Sequence, residues 1–254
     1  MDQQELSARQ FGNSAASYLS SAVHASGADL ERLARLARER KPARALDLGC
    51  GAGHASYALA RGGTQRVTAY DPSSDMLAVV AQEAAKRGHA GIETCVGAAE
   101  ELPFQSGTFD LVVTRYSAHH WADVPRALAE CARVTMPGGR LIVIDVIAPE
   151  SPLLDTFLQV VEFLRDGSHV RDYRVSEWRA MQSAAGFSET SADHWKLTME
   201  FESWIARIRT PPARVSALRA VLAELPAEVA RYFQLRADLS FDIDSAWLET
   251  SKNP

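Results

Sequence analysis

The chain of 254 residues carries a formal net charge of −5 and is 46% hydrophobic, a composition typical of a globular enzyme. This length is enough to bury a large core in one elaborated domain. Because no basic stretch is interleaved with aromatic residues, we expect no nucleic-acid-binding surface. The three cysteines are widely spaced, the N-terminus lacks a signal-peptide pattern, and the longest apolar run is too short to span a bilayer. We therefore predict a cytoplasmic protein without a membrane span.

Strand and helix patterns alternate through the first 150 residues. Crossovers between parallel strands are right-handed, so this alternation predicts an α/β fold with a doubly wound, mostly parallel sheet. Pro72 is expected in the first turn of its helix, and Pro137-Gly138-Gly139 is expected to separate a helix from the fifth strand. The predicted strands are 45–48, 67–70, 92–96, 109–114 and 141–146, and the predicted helices are 28–40, one from 54, one from 72, and 123–134.

The remaining residues give a mixed pattern that is rich in helices. Apolar spacing predicts helices at 153–165 and 176–185, and a helical stretch at 202–235 that is broken by prolines. Strands are predicted at 187–195 and 239–243. This helical material is too long for plain connections, so we expect it to cover a cleft.

A glycine-rich turn follows the first strand. The apolar run ends in Asp47, after which Gly49, Gly51 and Gly53 alternate with single residues, and a second apolar run ends in Asp71. A strand, a glycine-rich turn, a helix and a strand that ends in an acid form half of a nucleotide-binding sheet.

The same turn argues against a dinucleotide. The fingerprint G-x-G-x-x-G requires a glycine where His54 stands. Asp47 places a negative charge at the mouth of the turn, which repels a pyrophosphate and attracts a cationic ligand. A ligand with a ribose, an ammonium and a sulfonium but no phosphate fits better.

The turn resembles motif I of the class I S-adenosylmethionine (SAM) methyltransferases. Further segments follow in the order of the UbiE-type, or type 11, branch of that family: Gly97–Phe104, Phe109–Val113, His119-His120, Arg133-Val134 and Pro137–Gly139. The resemblance implies a seven-stranded Rossmann-like sheet and in-line transfer of a methyl group from SAM to carbon, oxygen or nitrogen of a small molecule. It also suggests a lid at 1–40, a SAM-binding core at 41–148, and helical insertions plus the last strands at 149–254.

The resemblance assigns the cofactor contacts. Asp47 is expected to hold the methionine ammonium, and Asp71 to accept both ribose hydroxyls. Each has a simpler alternative, since Asp47 could only complement a helix dipole and Asp71 could only cap the next helix. The family often has an acid at the position of Ala98, so the backbone of Ala98 and Ala99 is expected to contact the adenine instead. The remaining expected contacts are Gly49, Gly51 and Gly53 through backbone, Met76 near the adenine, Arg115, and Tyr18 in the lid.

The loop after the fourth strand carries candidate catalytic residues. His119 or His120 is a candidate general base, while the alternative is that one packs under the cofactor and the other binds backbone. Adjacent histidines lack metal-ligand spacing and no third ligand is evident, so we predict no metal. Glu100 is expected to be a solvated acid at a helix start. The candidates for orienting the acceptor are Tyr116, Asp145, His169, Arg171 and Tyr173.

Other functions share parts of this pattern. A nicotinamide oxidoreductase has the same fold class but conflicts with His54 and Asp47. A non-catalytic SAM-binding regulator would keep the glycines and Asp71, and a protein or RNA methyltransferase would need an open face. We expect a monomer or homodimer that acts on a small molecule.

Overall fold

A mostly parallel sheet with helices on both faces forms the centre of the computed structural model, which describes residues 3–12 and 27–253. The strand order is β3-β2-β1-β4-β5-β8-β7, with a short β6 paired to β5. Strands β1 to β5 are parallel, and β8 runs antiparallel between β5 and β7. The strands are β1 Arg44–Leu48, β2 Arg66–Asp71, β3 Ile92–Val96, β4 Phe109–Arg115, β5 Thr135–Ala148, β6 Tyr173–Arg174, β7 Ser191–Met199 and β8 Phe241–Ser251.

Helices connect these strands and cover the sheet. In chain order they are α1 Gln3–Gly12, α2 Ala28–Arg40, α3 His54–Arg61, α4 Ser74–Lys86, α5 Val124–Val134, α6 Pro152–Arg165, α7 Val175–Ala184, α8 Phe201–Arg207, α9 Pro212–Ala223 and α10 Ala227–Tyr232. A single 3-10 turn at Ala118–His120 follows β4. None of the helices in the described ranges has the length and apolar character needed to cross a bilayer.

The central strands are buried on both faces because helices pack on each side. On β4, Leu111 and Val113 pack in one cluster with residues of α2 and α3, such as Leu33. Val112, between them, packs in another cluster with residues of α5 and α7, such as Leu128. The alternation of side chains along a strand thus produces two core layers from one apolar run.

The helices after β5 form a separate apolar layer beside the end of the sheet. Residues of α6, α8, α9 and α10 pack together against Val146 of β5 and Phe241 of β8. The predicted breaks in this stretch are present, because Pro212 begins α9 and Pro226 precedes α10. This layer lies on the side of the sheet where β5 ends.

The sequence-based boundaries were wrong by two or more residues in four places. Pro72 lies outside α4, which begins at Ser74; Ser73 caps the helix, and its hydroxyl accepts a hydrogen bond from the amide of Met76 at 3.3 Å. The strand predicted at 239–243 runs instead from Phe241 to Ser251, since it pairs with both β5 and β7. Pro137-Gly138-Gly139 lies inside β5, because a register shift opposite β4 accommodates the extra residues. The strand predicted at 187–195 runs instead from Ser191 to Met199, since pairing along the whole of β8 sets its limits.

The N-terminal segment makes two different kinds of contact. The side-chain amide of Gln3 in α1 donates to the backbone oxygens of His120, at 3.3 Å, and Ser168, at 2.5 Å. Helix α2 instead contributes Leu33 to the core. Tyr18 lies outside the described residues, so its predicted place in a lid stays a prediction.

Candidate active site

A cleft of about 1030 Å³, including the space at its mouth, opens at the carboxyl ends of β1, β2 and β4. Open α/β sheets place their ligands at this edge, near the point where the strand order reverses. Most of the predicted cofactor residues meet there. The lining includes Asp47, Gly49, Gly51, Asp71, Met76, Ala98, Ala99, Arg115, Tyr116 and His120, together with Cys50, His54, Glu100, Ser117 and Trp121.

The glycine-rich turn forms the floor of the cleft between β1 and α3. The amides of Gly49 and Cys50 both donate to the carbonyl of Tyr70, at 2.8 and 3.0 Å, which ties the turn to the end of β2. Gly49 has a φ of +70°, and a Cβ there would lie 1.8 Å from the hydroxyl of Ser117. Gly51 has a φ of +50°, yet a Cβ there would meet no protein atom within 4 Å. The left-handed backbone at 51 favours glycine, and the missing side chain leaves the floor open to a ligand.

Asp47 is a buried carboxylate with one oxygen unused. Its Oδ2 accepts from the amide of Ser56 at 2.8 Å and from the Ser56 hydroxyl at 2.6 Å. Its Oδ1 is buried and has no hydrogen-bond partner in the described ranges, 3–12 and 27–253. Burial raises the pKa of Asp47 to about 6, against the lowering effect of those hydrogen bonds. A carboxylate in this state attracts a cationic group that can reach it, because pairing offsets the cost of burying the charge.

Asp71 stands across the turn from Asp47, at the end of β2. Its Oδ2 accepts from the amide of Gly51 and its Oδ1 from the amide of Ser73, both at 2.9 Å. Burial raises its pKa, while the two backbone hydrogen bonds lower it. Since each carboxylate oxygen can accept two hydrogen bonds, both oxygens keep capacity for a ligand with two hydroxyls.

The wall beyond Asp71 is apolar, apart from Glu100. Met76, in the first turn of α4, is fully buried, and Ala98 and Ala99 follow β3. Glu100 is buried, where the sequence predicted a solvated acid, and its Oε1 accepts from the amides of Ala122 at 2.9 Å and Asp123 at 3.2 Å. No local pattern identifies this contact, because its partners are more than 20 residues away along the chain.

Arg115 and Tyr116 form the opposite wall, at the end of β4. The guanidinium of Arg115 is ion-paired with Asp29 at 2.5 Å, and the two side chains are only 6% and 8% exposed. It also lies 4.8 Å from the ring centroid of Tyr116. Tyr116 has a φ of +52°, and its hydroxyl lies 3.2 Å from that of Ser245. The cationic side chain of Arg115 and the Oδ1 atom of Asp47 therefore belong to residues that line the same cleft.

The two adjacent histidines have different surroundings. His120 lines the cleft, and its Nδ1 lies 3.1 Å from the carbonyl oxygen of Ser168. His119 is absent from the cleft lining, and its Nδ1 lies 2.6 Å from Oδ1 of Asp145. Burial lowers the pKa of both rings, but Asp145 outweighs it at His119 and raises that pKa to about 9.

The other predicted acceptor residues lie behind the cleft wall. Asp145 and His169 are buried, and Asp145 also accepts from the amide of Ala118 at 3.0 Å. Arg171 is ion-paired with Asp155 at 2.8 Å and does not line the cleft. Tyr173 stacks edge-on against Trp178, at 5.8 Å between ring centroids. The fold thus brings Tyr116 and His120 to the cleft, and places Asp145, His169, Arg171 and Tyr173 outside its lining.

Comparison with known proteins gives the family. Residues 46–143 match the methyltransferase domain family. The uncharacterized protein YafE of Escherichia coli is 47% identical over 186 residues, which cover 73% of this chain and 90% of that protein. The ubiquinone/menaquinone biosynthesis C-methyltransferase UbiE of Sinorhizobium fredii is 35% identical over 127 residues, or 49% of each chain.

A solved structure agrees with the sequence relatives. The uncharacterized methyltransferase YcgJ of Bacillus subtilis is 38% identical over 204 residues, which cover 80% of each protein. Its crystal structure superposes with a TM-score of 0.82 over 88% of this chain and 99% of that one. The expected family, fold and cofactor are confirmed: this chain belongs to the type 11 family of SAM-dependent methyltransferases.

Proposed function

We propose that the cleft holds SAM between the two buried carboxylates and presents its methyl group to a small-molecule acceptor on the side of Tyr116 and His120. The unused Oδ1 of Asp47 carries this proposal. An amino-acid end with an ammonium and a carboxylate complements Asp47 and Arg115, and a ribose diol complements Asp71. Met76 supplies an apolar surface for a flat base.

The chain's own contribution to transfer is mainly positional. When bound, SAM supplies a methyl group that its sulfonium has already activated. The residues of the cleft align the acceptor with that methyl group and exclude water, and no further nucleophile from the protein is needed. Arg115 is itself held by Asp29, so the wall that faces the methionine end is rigid.

We further infer an acceptor with an aromatic ring. Three flat side chains line the cleft, those of Tyr116, His120 and Trp121. Aromatic rings bind each other face to face with an offset or edge to face, and so favour a flat acceptor over an aliphatic one. The relative UbiE is named as a C-methyltransferase of ubiquinone and menaquinone biosynthesis, and because quinones contain a ring, this name supports the choice.

The cofactor part of the proposal is tested by Asp71→Ala. We expect the variant to bind S-adenosylhomocysteine, the demethylated product, about 10- to 150-fold more weakly in calorimetry, because two charge-assisted hydrogen bonds are lost. Asp75→Ala is the matched control, since Asp75 is an exposed acid in the first turn of the neighbouring helix. Unchanged affinity in Asp71→Ala would contradict the ribose assignment.

The acceptor part is tested by His120→Ala with methyl-labelled SAM and a panel of phenols, quinols, amines and thiols. We expect transfer to a ring-bearing acceptor to fall about 10- to 100-fold at saturating SAM, since loss of an orienting contact misplaces the acceptor. Affinity for S-adenosylhomocysteine should change little. The opposite result, weakened product binding with normal turnover, would mean that His120 packs against the cofactor.

A further inference from the structure

Three potential metal ligands meet behind the wall of the cleft. His119 comes from the 3-10 turn after β4, Asp145 from β5, and Asp172 from the loop before β6. One donor atom from each lies within 4.8 Å of the donor atoms of the other two. We propose that they bind a divalent metal ion, a site that the spacing of the adjacent histidines did not predict.

Asp172 provides the strongest evidence for a missing cation. Asp172 is 1% exposed, and its Oδ2 has no hydrogen-bond partner among the residues that the structure describes. Within the described residues, no lysine or arginine pairs with it; Nε2 of His169 lies 3.9 Å away, and a ring nitrogen of His119 lies within 4.8 Å. The neighbouring cation Arg171 is held by Asp155. An unpaired buried carboxylate is costly, and a bound ion removes that cost.

The surroundings of the other two ligands also fit a metal. Nδ1 of His119 faces Oδ1 of Asp145 at 2.6 Å, so an ion that replaces the proton between them can bind both atoms. The two oxygens of Asp145 accept three hydrogen bonds in this structure and have room for a further contact. The side chain of His119 is 16% exposed, whereas Asp145 and Asp172 are each 1% exposed.

The donor set defines the class of ion. One imidazole nitrogen and two carboxylate oxygens suit first-row divalent ions such as Zn²⁺ or Mn²⁺, whereas Mg²⁺ prefers oxygen ligands alone. Because His119 adjoins His120, the ion lies on the side of the cleft that we assign to the acceptor. An effect of the ion on methyl transfer rests on the proposed function, whereas binding of the ion to these three residues does not.

The test is metal binding by the whole chain. Protein stripped with EDTA is titrated with Zn²⁺, Mn²⁺ and Mg²⁺, and bound ion is measured by equilibrium dialysis with elemental analysis and, for Mn²⁺, by electron paramagnetic resonance. We expect one Zn²⁺ or Mn²⁺ per chain, weaker Mg²⁺ binding, and a loss of about 100-fold or more in both Asp172→Asn and His119→Ala.

Controls separate this inference from the cofactor proposal. Asp75→Asn removes an exposed negative charge without removing a proposed ligand or releasing Arg171, so it should bind metal normally. Thermal unfolding and S-adenosylhomocysteine binding are measured on every variant to show that each is folded. The metal site would be overturned if the wild type showed no saturable metal binding, or if Asp172→Asn bound metal as well as the wild type. Normal binding of S-adenosylhomocysteine in the same samples would leave the cofactor proposal intact.

Discussion

At the scale of single residues, the cleft keeps a carboxylate whose burial is unfavourable until a ligand arrives. Asp47 has one oxygen that accepts from Ser56 and one that finds no partner in the described part of the chain. Its position at the end of β1 was predictable, because an acid that closes an apolar run lies at the end of a strand, at the edge of the sheet where ligands bind. Its unused oxygen was not predictable, since that depends on how Ser56 in α3 is oriented.

Replacement of Asp47 by asparagine should separate stability from binding. The pKa of Asp47 is raised to about 6 in the folded protein. As the pH falls, the folded state therefore binds this proton at a higher pH than the unfolded state does. Its ionisation therefore destabilises the fold above pH 6, by about 2–3 kcal/mol, and this cost is relieved as the pH falls from 6 towards 4. Asparagine avoids the charge but introduces a buried amide, which offsets part of the gain.

We expect Asp47→Asn to raise the free energy of unfolding at pH 8 by about 1 kcal/mol in urea titrations. The difference from wild type should shrink at pH 5. The same variant should bind SAM more weakly, because it lacks the charge that faces the ammonium. Lower stability than wild type at pH 8, or equal SAM affinity, would show that Asp47 is not a strained ligand-binding acid.

At the scale of elements, local patterns predicted the helices and central strands well. They misplaced the ends of strands whose partner strands are distant in the sequence. Helix α2 and strand β3 have the predicted bounds, because their apolar stripes and flanking turn residues are local signals. Strand β5 begins earlier than predicted, and β7 is shifted, since pairing with β4 and β8 sets their ends. Glu100 was misassigned for the same reason, as its partners lie on another loop.

The glycine-rich turn offers a matched pair of substitutions. Gly51 and Gly63 both have positive φ, +50° and +96°, and a Cβ at either position meets no protein atom within 4 Å. Gly51 lines the cleft, whereas Gly63 follows the end of α3. Gly51→Ala and Gly63→Ala should therefore each lose about 1–2 kcal/mol of stability from left-handed strain.

Only Gly51→Ala should also lose affinity for S-adenosylhomocysteine, because its new methyl group projects into the cleft floor. Urea titration measures the first effect and calorimetry the second. Equal affinities in the two variants would place the ligand away from the turn.

At the scale of the whole molecule, the sequence predicted a doubly wound sheet but not its complete order. The glycine turn and the alternation of strands and helices indicate parallel strands with a ligand edge. The insertion of β8 between β5 and β7 joins residues more than 100 positions apart, such as Arg140 and Ser251. No local pattern encodes that pairing, and it is the arrangement that brings the last helices beside the end of β5.

A ligand that binds only the folded chain should stabilise all of it. At a concentration of S-adenosylhomocysteine about 100 times its Kd, the stabilisation is about 2.7 kcal/mol. With an unfolding entropy of about 2.1 cal/mol/K per residue, this free energy raises the Tm of a chain of 254 residues by about 5 °C. NAD at the same concentration should leave the Tm unchanged, because its pyrophosphate would lie beside the Asp47 carboxylate. Scanning calorimetry with both ligands measures this difference, and a shift with NAD equal to that with S-adenosylhomocysteine would mean that Asp47 does not select against phosphate.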